Sequence, residues 1–123
     1  MSSAANPLTV LVIDDTEPMR RLVGTVLRNA GFNVIEASDG EQALDAATRA
    51  GRVDAAVTDV CMPNLHGFSL ASQLRERQPD LPLVFMSAFE VDHGAIGSNA
   101  RLLLKPFSPA QLLRQVQSVL NPA

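Results

Sequence analysis

LVIDDT, residues 11–16, sets three apolar residues, Leu11, Val12 and Ile13, directly against two carboxylates, Asp14 and Asp15. Together with Thr9 and Val10 the run reads TVLVI, short and rich in β-branched residues, as expected of a strand buried on both faces. Two like charges at the end of such a strand have two readings. Either the chain surfaces into a solvated loop, or the carboxylates are oxygen donors for a cation. The dipeptide alone does not separate these, so the rest of the chain has to.

Downstream, Met19, Leu22, Val23, Val26, Leu27 and Ala30 recur at helical spacing, with Pro18 suited to the first turn and Gly31 to the C-terminal cap. FNVIEA, 32–37, reads as a second strand. Asp39-Gly40 is a turn signal, after which Ala43, Leu44 and Ala47 mark a helix face that stops near Gly51. AAVT, 55–58, is a third strand ending in Asp59, and the loop CMPNLHG leads to a helix carrying Phe68, Leu70, Ala71 and Leu74 before Pro79. LPLVFMS, 81–87, gives a fourth strand ending in Ser87. AFEVDHGAIGSNA, 88–100, has two glycines and sparse apolar spacing, enough for a short fourth helix at most. RLLLK is a fifth strand ending in Lys105. Ser108, Pro109 and Gln111 then combine an N-cap, a first-position proline and a capping-box partner for a last helix that Asn121-Pro122 stops. The leucine stripes of the first and last helices and Met19 are assigned to the core.

Alternation of strand and helix five times over implies an α/β fold, a parallel sheet whose right-handed crossovers cover both faces. The 123 residues fit a single domain, with a core spanning about residues 8–121 and no further output domain expected. A net charge of -3 and a pI near 5.2 offer no basic field for nucleic acid. One cysteine, Cys61, cannot form an internal disulfide, and MSSAANP lacks the features of a secretory signal. No apolar run nears the roughly 18 residues a spanning helix needs, so no membrane association and a cytoplasmic location are expected.

The polar residues that end the strands are the informative coincidence. Asp14/Asp15, Asp59, Ser87 and Lys105 follow the first, third, fourth and fifth strands. Parallel strands finish at one edge, and that carboxyl edge is where open α/β sheets bind ligands. Three carboxylates gathered there would drive one another toward protonation unless a cation compensates. Magnesium, which takes one or two carboxylates and keeps waters, suits the set. A carboxylate nucleophile, a hard cation, an ammonium and a hydroxyl are together the parts of a phosphoryl-transfer site.

From VLVIDD through TDVCMPNLHG and FMSA to LLLKPF, the chain resembles the receiver domain of two-component response regulators, of stand-alone or hybrid-kinase type. The resemblance implies a flavodoxin-like fold with strand order 2-1-3-4-5. It also implies a phosphoprotein that takes a phosphoryl group from a histidine kinase or histidine phosphotransfer protein and signals to a downstream protein not identified by sequence. It assigns Asp59 as phosphoacceptor. Magnesium falls to Asp14, Asp15, Asp59 and the Cys61 backbone carbonyl, with Asp15 the more direct ligand and Asp14 acting largely through water. Ser87 takes the switch hydroxyl position, Lys105 contacts the phosphoryl group, and Pro106 follows a cis bond. Such a module is not an enzyme in its own right, although it assists its own phosphorylation and dephosphorylation. The chain departs from the family pattern in two places. Leu102 stands where a Tyr or Phe is common, so no aromatic rotamer switch is expected, and the stretch between Ser87 and Lys105 is about one helical turn short.

Two other readings compete. A receiver-shaped docking module would never be phosphorylated, and the intact acidic pair, acceptor and lysine argue against it. A magnesium-dependent phosphohydrolase passing through an aspartyl phosphate would carry a DxD signature and a cap domain, and neither is seen. His66 and His93 read as solvated loop residues, Cys61 as a loop residue supplying backbone. Arg20 and Arg21 read equally as a solvated helix face or as part of a docking surface for a kinase.

Overall fold

In the computed structural model, which describes residues 7–62, 65–91 and 97–121, strands and helices alternate from the start. The order is β1 (Thr9–Ile13), α1 (Glu17–Asn29), β2 (Asn33–Ala37), α2 (Gly40–Ala50), β3 (Ala55–Asp59), α3 (Gly67–Arg77), β4 (Leu83–Ser87), β5 (Ala100–Leu104) and α4 (Pro109–Leu120). The five strands form one parallel sheet in the order β2-β1-β3-β4-β5, the flavodoxin-like order implied by the resemblance. Of residues 88–100, where a short helix is expected, the described ones are not helical and residues 92–96 lie outside the described residues, as do Pro63 and Asn64 of the loop after β3.

Side chains on β1 alternate between two cores, as a period of two requires. Leu11 and Ile13 join Ala43 and Ala47 of α2 and Leu70, Ala71 and Leu74 of α3. Val10 and Val12 join Val23 and Leu27 of α1 and Leu112, Val116 and Val119 of α4. Each fully buried Leu or Val contributes about 1.5–3 kcal/mol, so a sheet covered on both sides is favoured over one wetted on either. The apolar stripe of α1 is narrower than its sequence suggests: Met19 packs against the second core, but Leu22 is half exposed. Leu22 lies one position before Val23 and so points away from the face that α1 turns to the sheet.

Helix ends follow local chemistry. Asp39, read as part of a turn, is the N-cap of α2, its carboxylate accepting the Gln42 N–H at 2.8 Å. The Ser108 capping box with Gln111 forms as expected. At the opposite edge of the sheet from the acidic residues, the Arg75 guanidinium donates to the carbonyls of Leu81 at 2.8 Å, Ser98 at 2.9 Å and Asn99 at 3.2 Å. It thereby ties α3 to the starts of both β4 and β5. Lys105–Pro106 is cis.

Strand register places the site. Ile13 lies beside Ala37 and Thr58, Asp59 beside Met86, and Ser87 beside Leu104. Asp14, Asp59, Ser87 and Lys105 therefore stand at the same carboxyl edge.

Candidate functional site

Asp14 is fully buried, and Asp59 and Ser87 are nearly so. Asp15, next along the chain, is exposed at the rim. Carboxylate oxygens of Asp14, Asp15 and Asp59 lie within 4.8 Å of one another. The Lys105 ammonium reaches in from the end of β5, with Nζ 3.4 Å from Asp59 Oδ2 and 3.7 Å from Asp14 Oδ2. Three carboxylates against one ammonium leave two negative charges, which one divalent cation balances. Asp14 Oδ2 supports the same conclusion, since among the described residues it is buried without a hydrogen-bond partner, Lys105 Nζ standing off at 3.7 Å. Such an orphan acceptor carries a desolvation cost that a ligand would remove. Oxygen donors of this hardness suit magnesium.

Electrostatics single out Asp59. Burial pushes its carboxyl above the ordinary value of 3.8, Lys105 pulls it down, Asp14 pushes it up again, and the Cys61 N–H, at 3.4 Å from Oδ1, pulls it down. With the folded value above the unfolded one, the native chain binds more protons between the two, so stability falls as pH rises through that window. The stability difference between Asp59→Asn and the wild-type chain, both without divalent cations, is therefore expected to be small near pH 4. It should grow as pH rises through the folded value and level off above it. Chemical denaturation at a series of pH values checks this, and a difference that shrinks with rising pH would contradict it.

Ser87 is brought to the site edge, but its hydroxyl is turned into its own loop, donating to the Phe89 carbonyl at 2.7 Å and accepting the Phe89 N–H at 3.0 Å. Its carbonyl accepts the Lys105 N–H at 2.8 Å, joining the ends of β4 and β5. Cys61 is exposed beside Asp59. His66 does more than sit in solvent: it is the N-cap of α3, its Nδ1 accepting the Phe68 N–H at 3.2 Å.

The contacts of three residues around the site escaped the sequence reading, which has Arg20 only as a solvated or docking residue and Gly67 only as part of a loop. Thr16 binds Asp14 Oδ1 through both its N–H, at 2.9 Å, and its hydroxyl, at 2.8 Å. A threonine two residues after an aspartate is a local pairing that spacing alone could have raised. Arg20 donates from Nη1 to the Asp14 carbonyl at 3.0 Å and pairs with Glu36 on β2 at 3.4 Å. Only the tertiary structure shows this link. Gly67 packs so closely on β3 that a Cβ there would lie 2.3 Å from the Asp59 carbonyl oxygen.

The parallel sheet, with an acidic, lysine-bearing pocket at its carboxyl edge, defines a flavodoxin-like α/β domain whose site lies where such sheets bind ligands. The chain belongs to the response regulator receiver domain family, which its residues 10–117 match. It is 37% identical over 125 residues to the transcriptional regulatory protein PrrA of Mycobacterium tuberculosis, the match covering 98% of this chain and 53% of PrrA. Among solved structures, chemotaxis protein CheY4 of Vibrio cholerae superposes with a TM-score of 0.85 at 31% identity, over 92% of this chain and 98% of that one. Response regulator TrrA of Thermotoga maritima, solved with magnesium and a beryllium fluoride, superposes with a TM-score of 0.79 at 25% identity, over 91% and 98%. The chain spans about half the length of the curated regulators it matches. Members of this family are signalling modules of two-component systems rather than enzymes. Among the described residues no helix is long and apolar enough to cross a membrane.

Proposed function

We propose that this chain, as a single receiver domain, accepts a phosphoryl group onto Asp59 from a histidine kinase or histidine phosphotransfer protein in the cytosol and passes the signal on through protein contacts or phosphorelay. The observation that carries the proposal is the convergence of Asp14, Asp15 and Asp59 within 4.8 Å, with Lys105 Nζ 3.4 Å from the acceptor carboxylate. Asp14, Asp15, Asp59 and the Cys61 carbonyl are the groups that would hold magnesium, which when bound neutralises the carboxylates and the incoming phosphoryl oxygens. An Asp59 oxygen forms the new P–O bond as the P–N bond of the donor phosphohistidine breaks, and the departing imidazole takes up a proton. Lys105 stabilises negative charge on the transferring group. Ser87 would leave Phe89 and turn its hydroxyl to the phosphoryl group, so that the loop bond seen here is exchanged for one made only in the phosphorylated state.

The test uses a small phosphodonor with magnesium and intact-mass measurement. A single adduct that depends on Asp59 supports the proposal; turnover of phosphate esters, or no adduct even with candidate kinases, opposes it.

Lifetime of the adduct is a further expectation. Cys61 and the 71%-exposed Phe89 flank the pocket, and neither orients a water for attack on the acyl phosphate as an acidic or amide side chain would. Without a phosphatase the adduct should therefore decay slowly, and Phe89→Glu should shorten its half-life several-fold. Rapid decay in the wild-type chain, followed by mass measurement after removal of donor, would refute this account.

A further inference from the structure

Every polar group of Asp14 except one oxygen is tied down. Its N–H donates to the Ala37 carbonyl at 3.2 Å, its carbonyl accepts Arg20 Nη1 at 3.0 Å, and its Oδ1 accepts the N–H and hydroxyl of Thr16. Oδ2 alone is left without a hydrogen-bond partner among the described residues, buried on the side where Lys105 and Asp59 stand. Arg20 is in turn fixed. Its Nε lies 3.4 Å from Glu36 Oε1, and Glu36 Oε2 accepts Arg28 Nη2 at 2.8 Å. The Arg20 and Glu36 side chains are only 16% and 22% exposed, so this bracket is better shielded than an ordinary surface pair. It runs from β2 across α1 to the end of β1, and Gly24 leaves room for it: a Cβ there would come within 3.0 Å of Glu36 Oε2.

We infer that Arg20 is a positioning residue for the cation site: held by Glu36, it fixes the Asp14 backbone so that Asp14 Oδ2 stays presented to the metal. The inference rests on the reading of the acidic pocket as a magnesium site. It requires the fork of a guanidinium, since one group must reach the Asp14 carbonyl and Glu36 together. Charge alone predicts the opposite sign. Removing a cation near an acidic pocket would strengthen cation binding, whereas loss of positioning weakens it.

The magnesium dissociation constant of the whole chain, measured by isothermal titration calorimetry, separates the two. Arg20→Met is expected to bind magnesium about tenfold more weakly, the size typical of losing an outer-shell support. Arg20→Lys, which keeps the charge but not the fork, is expected to bind as weakly as Arg20→Met. Val116→Ala, in the core beneath α4, lowers stability without touching the pocket and should leave the constant unchanged, which distinguishes positioning from general loosening. Tighter or equal binding by Arg20→Met, full recovery in Arg20→Lys, or an equal loss in Val116→Ala overturns the inference. Undiminished binding by Asp14→Asn and Asp59→Asn, or none by the wild-type chain, overturns the metal reading itself, and the inference with it.

Discussion

Asp59→Asn is expected to form no phosphoryl adduct with a small phosphodonor and magnesium, and, without magnesium at neutral pH, to be more stable than the wild-type chain. The first result follows from chemistry, because an amide has no carboxylate oxygen to form the P–O bond. The second follows from geometry. Asp59 gives up hydration at the edge of the core and shares one ammonium with Asp14, and its carboxyl is held above the ordinary value by burial. Asparagine keeps the shape and removes the charge, and Lys105 still has Asp14 at 3.7 Å. Relief of one poorly compensated buried charge is worth about 1–2 kcal/mol, or about 4–10 °C in Tm for a chain of this size. Magnesium should close the gap by stabilising the wild-type chain more than the variant. Circular dichroism suits the measurement, since the sequence has no tryptophan or tyrosine. An adduct on the variant would move the acceptor elsewhere, and a lower Tm at neutral pH would show that Asp59 is well compensated without a cation.

Gly67→Ala is expected to cost about 2–4 kcal/mol of stability and to slow phosphorylation of the fraction that folds. The added Cβ would lie 2.3 Å from the Asp59 carbonyl oxygen, 2.9 Å from Val60 Cα and 3.2 Å from the Asp59 carbonyl carbon. All three are backbone atoms of the chain leaving β3, so no side chain can turn aside. Relief requires α3 to back away from Asp59, stretching the Gly67 N–H to Val60 carbonyl bond of 2.8 Å. Gly40→Ala provides the contrast. There the Cβ would meet Leu65 Cδ2 at 2.5 Å and Leu65 Cβ at 3.0 Å; a rotamer change of this partly buried leucine removes the first and a small shift the second, at a cost of about 1–2 kcal/mol. Denaturant midpoints at unchanged m-value give the comparison. If Gly67→Ala proves no worse than Gly40→Ala, the close approach of α3 to Asp59 is softer than these distances imply.

Elements that announce themselves by local pattern were legible in the sequence. TVLVI and LPLVFMS could be placed because uninterrupted apolar runs bounded by polar residues have few other uses, and the last helix because Ser108, Pro109 and Gln111 encode its start chemically. The gathering of Asp14, Asp59, Ser87 and Lys105 at one edge followed from counting strands. Contacts that depend on how helices roll against the sheet were not legible. Leu22 shares the helical repeat, but which side of that repeat faces β1 is decided by Val23 and Leu27, and Leu22 lies outside it. Arg20 and Glu36, sixteen residues apart in sequence, meet only because β2 pairs with β1 and α1 crosses above them. The direction of the Ser87 hydroxyl is a choice among rotamers, settled by the Phe89 backbone that offers it both a donor and an acceptor.

The Arg75 clamp gives the crossover between β4 and β5 unequal ends. At the return end, Ser98 and Asn99 are pinned to the same guanidinium as Leu81. At the outgoing end, Ser87 and Phe89 are joined by two bonds that a hydroxyl rotation undoes together. The two ends are thus held by different means: Ser98 and Asn99 by a guanidinium at the far side of the sheet, Ser87 and Phe89 by one hydroxyl at the edge where Asp59 stands.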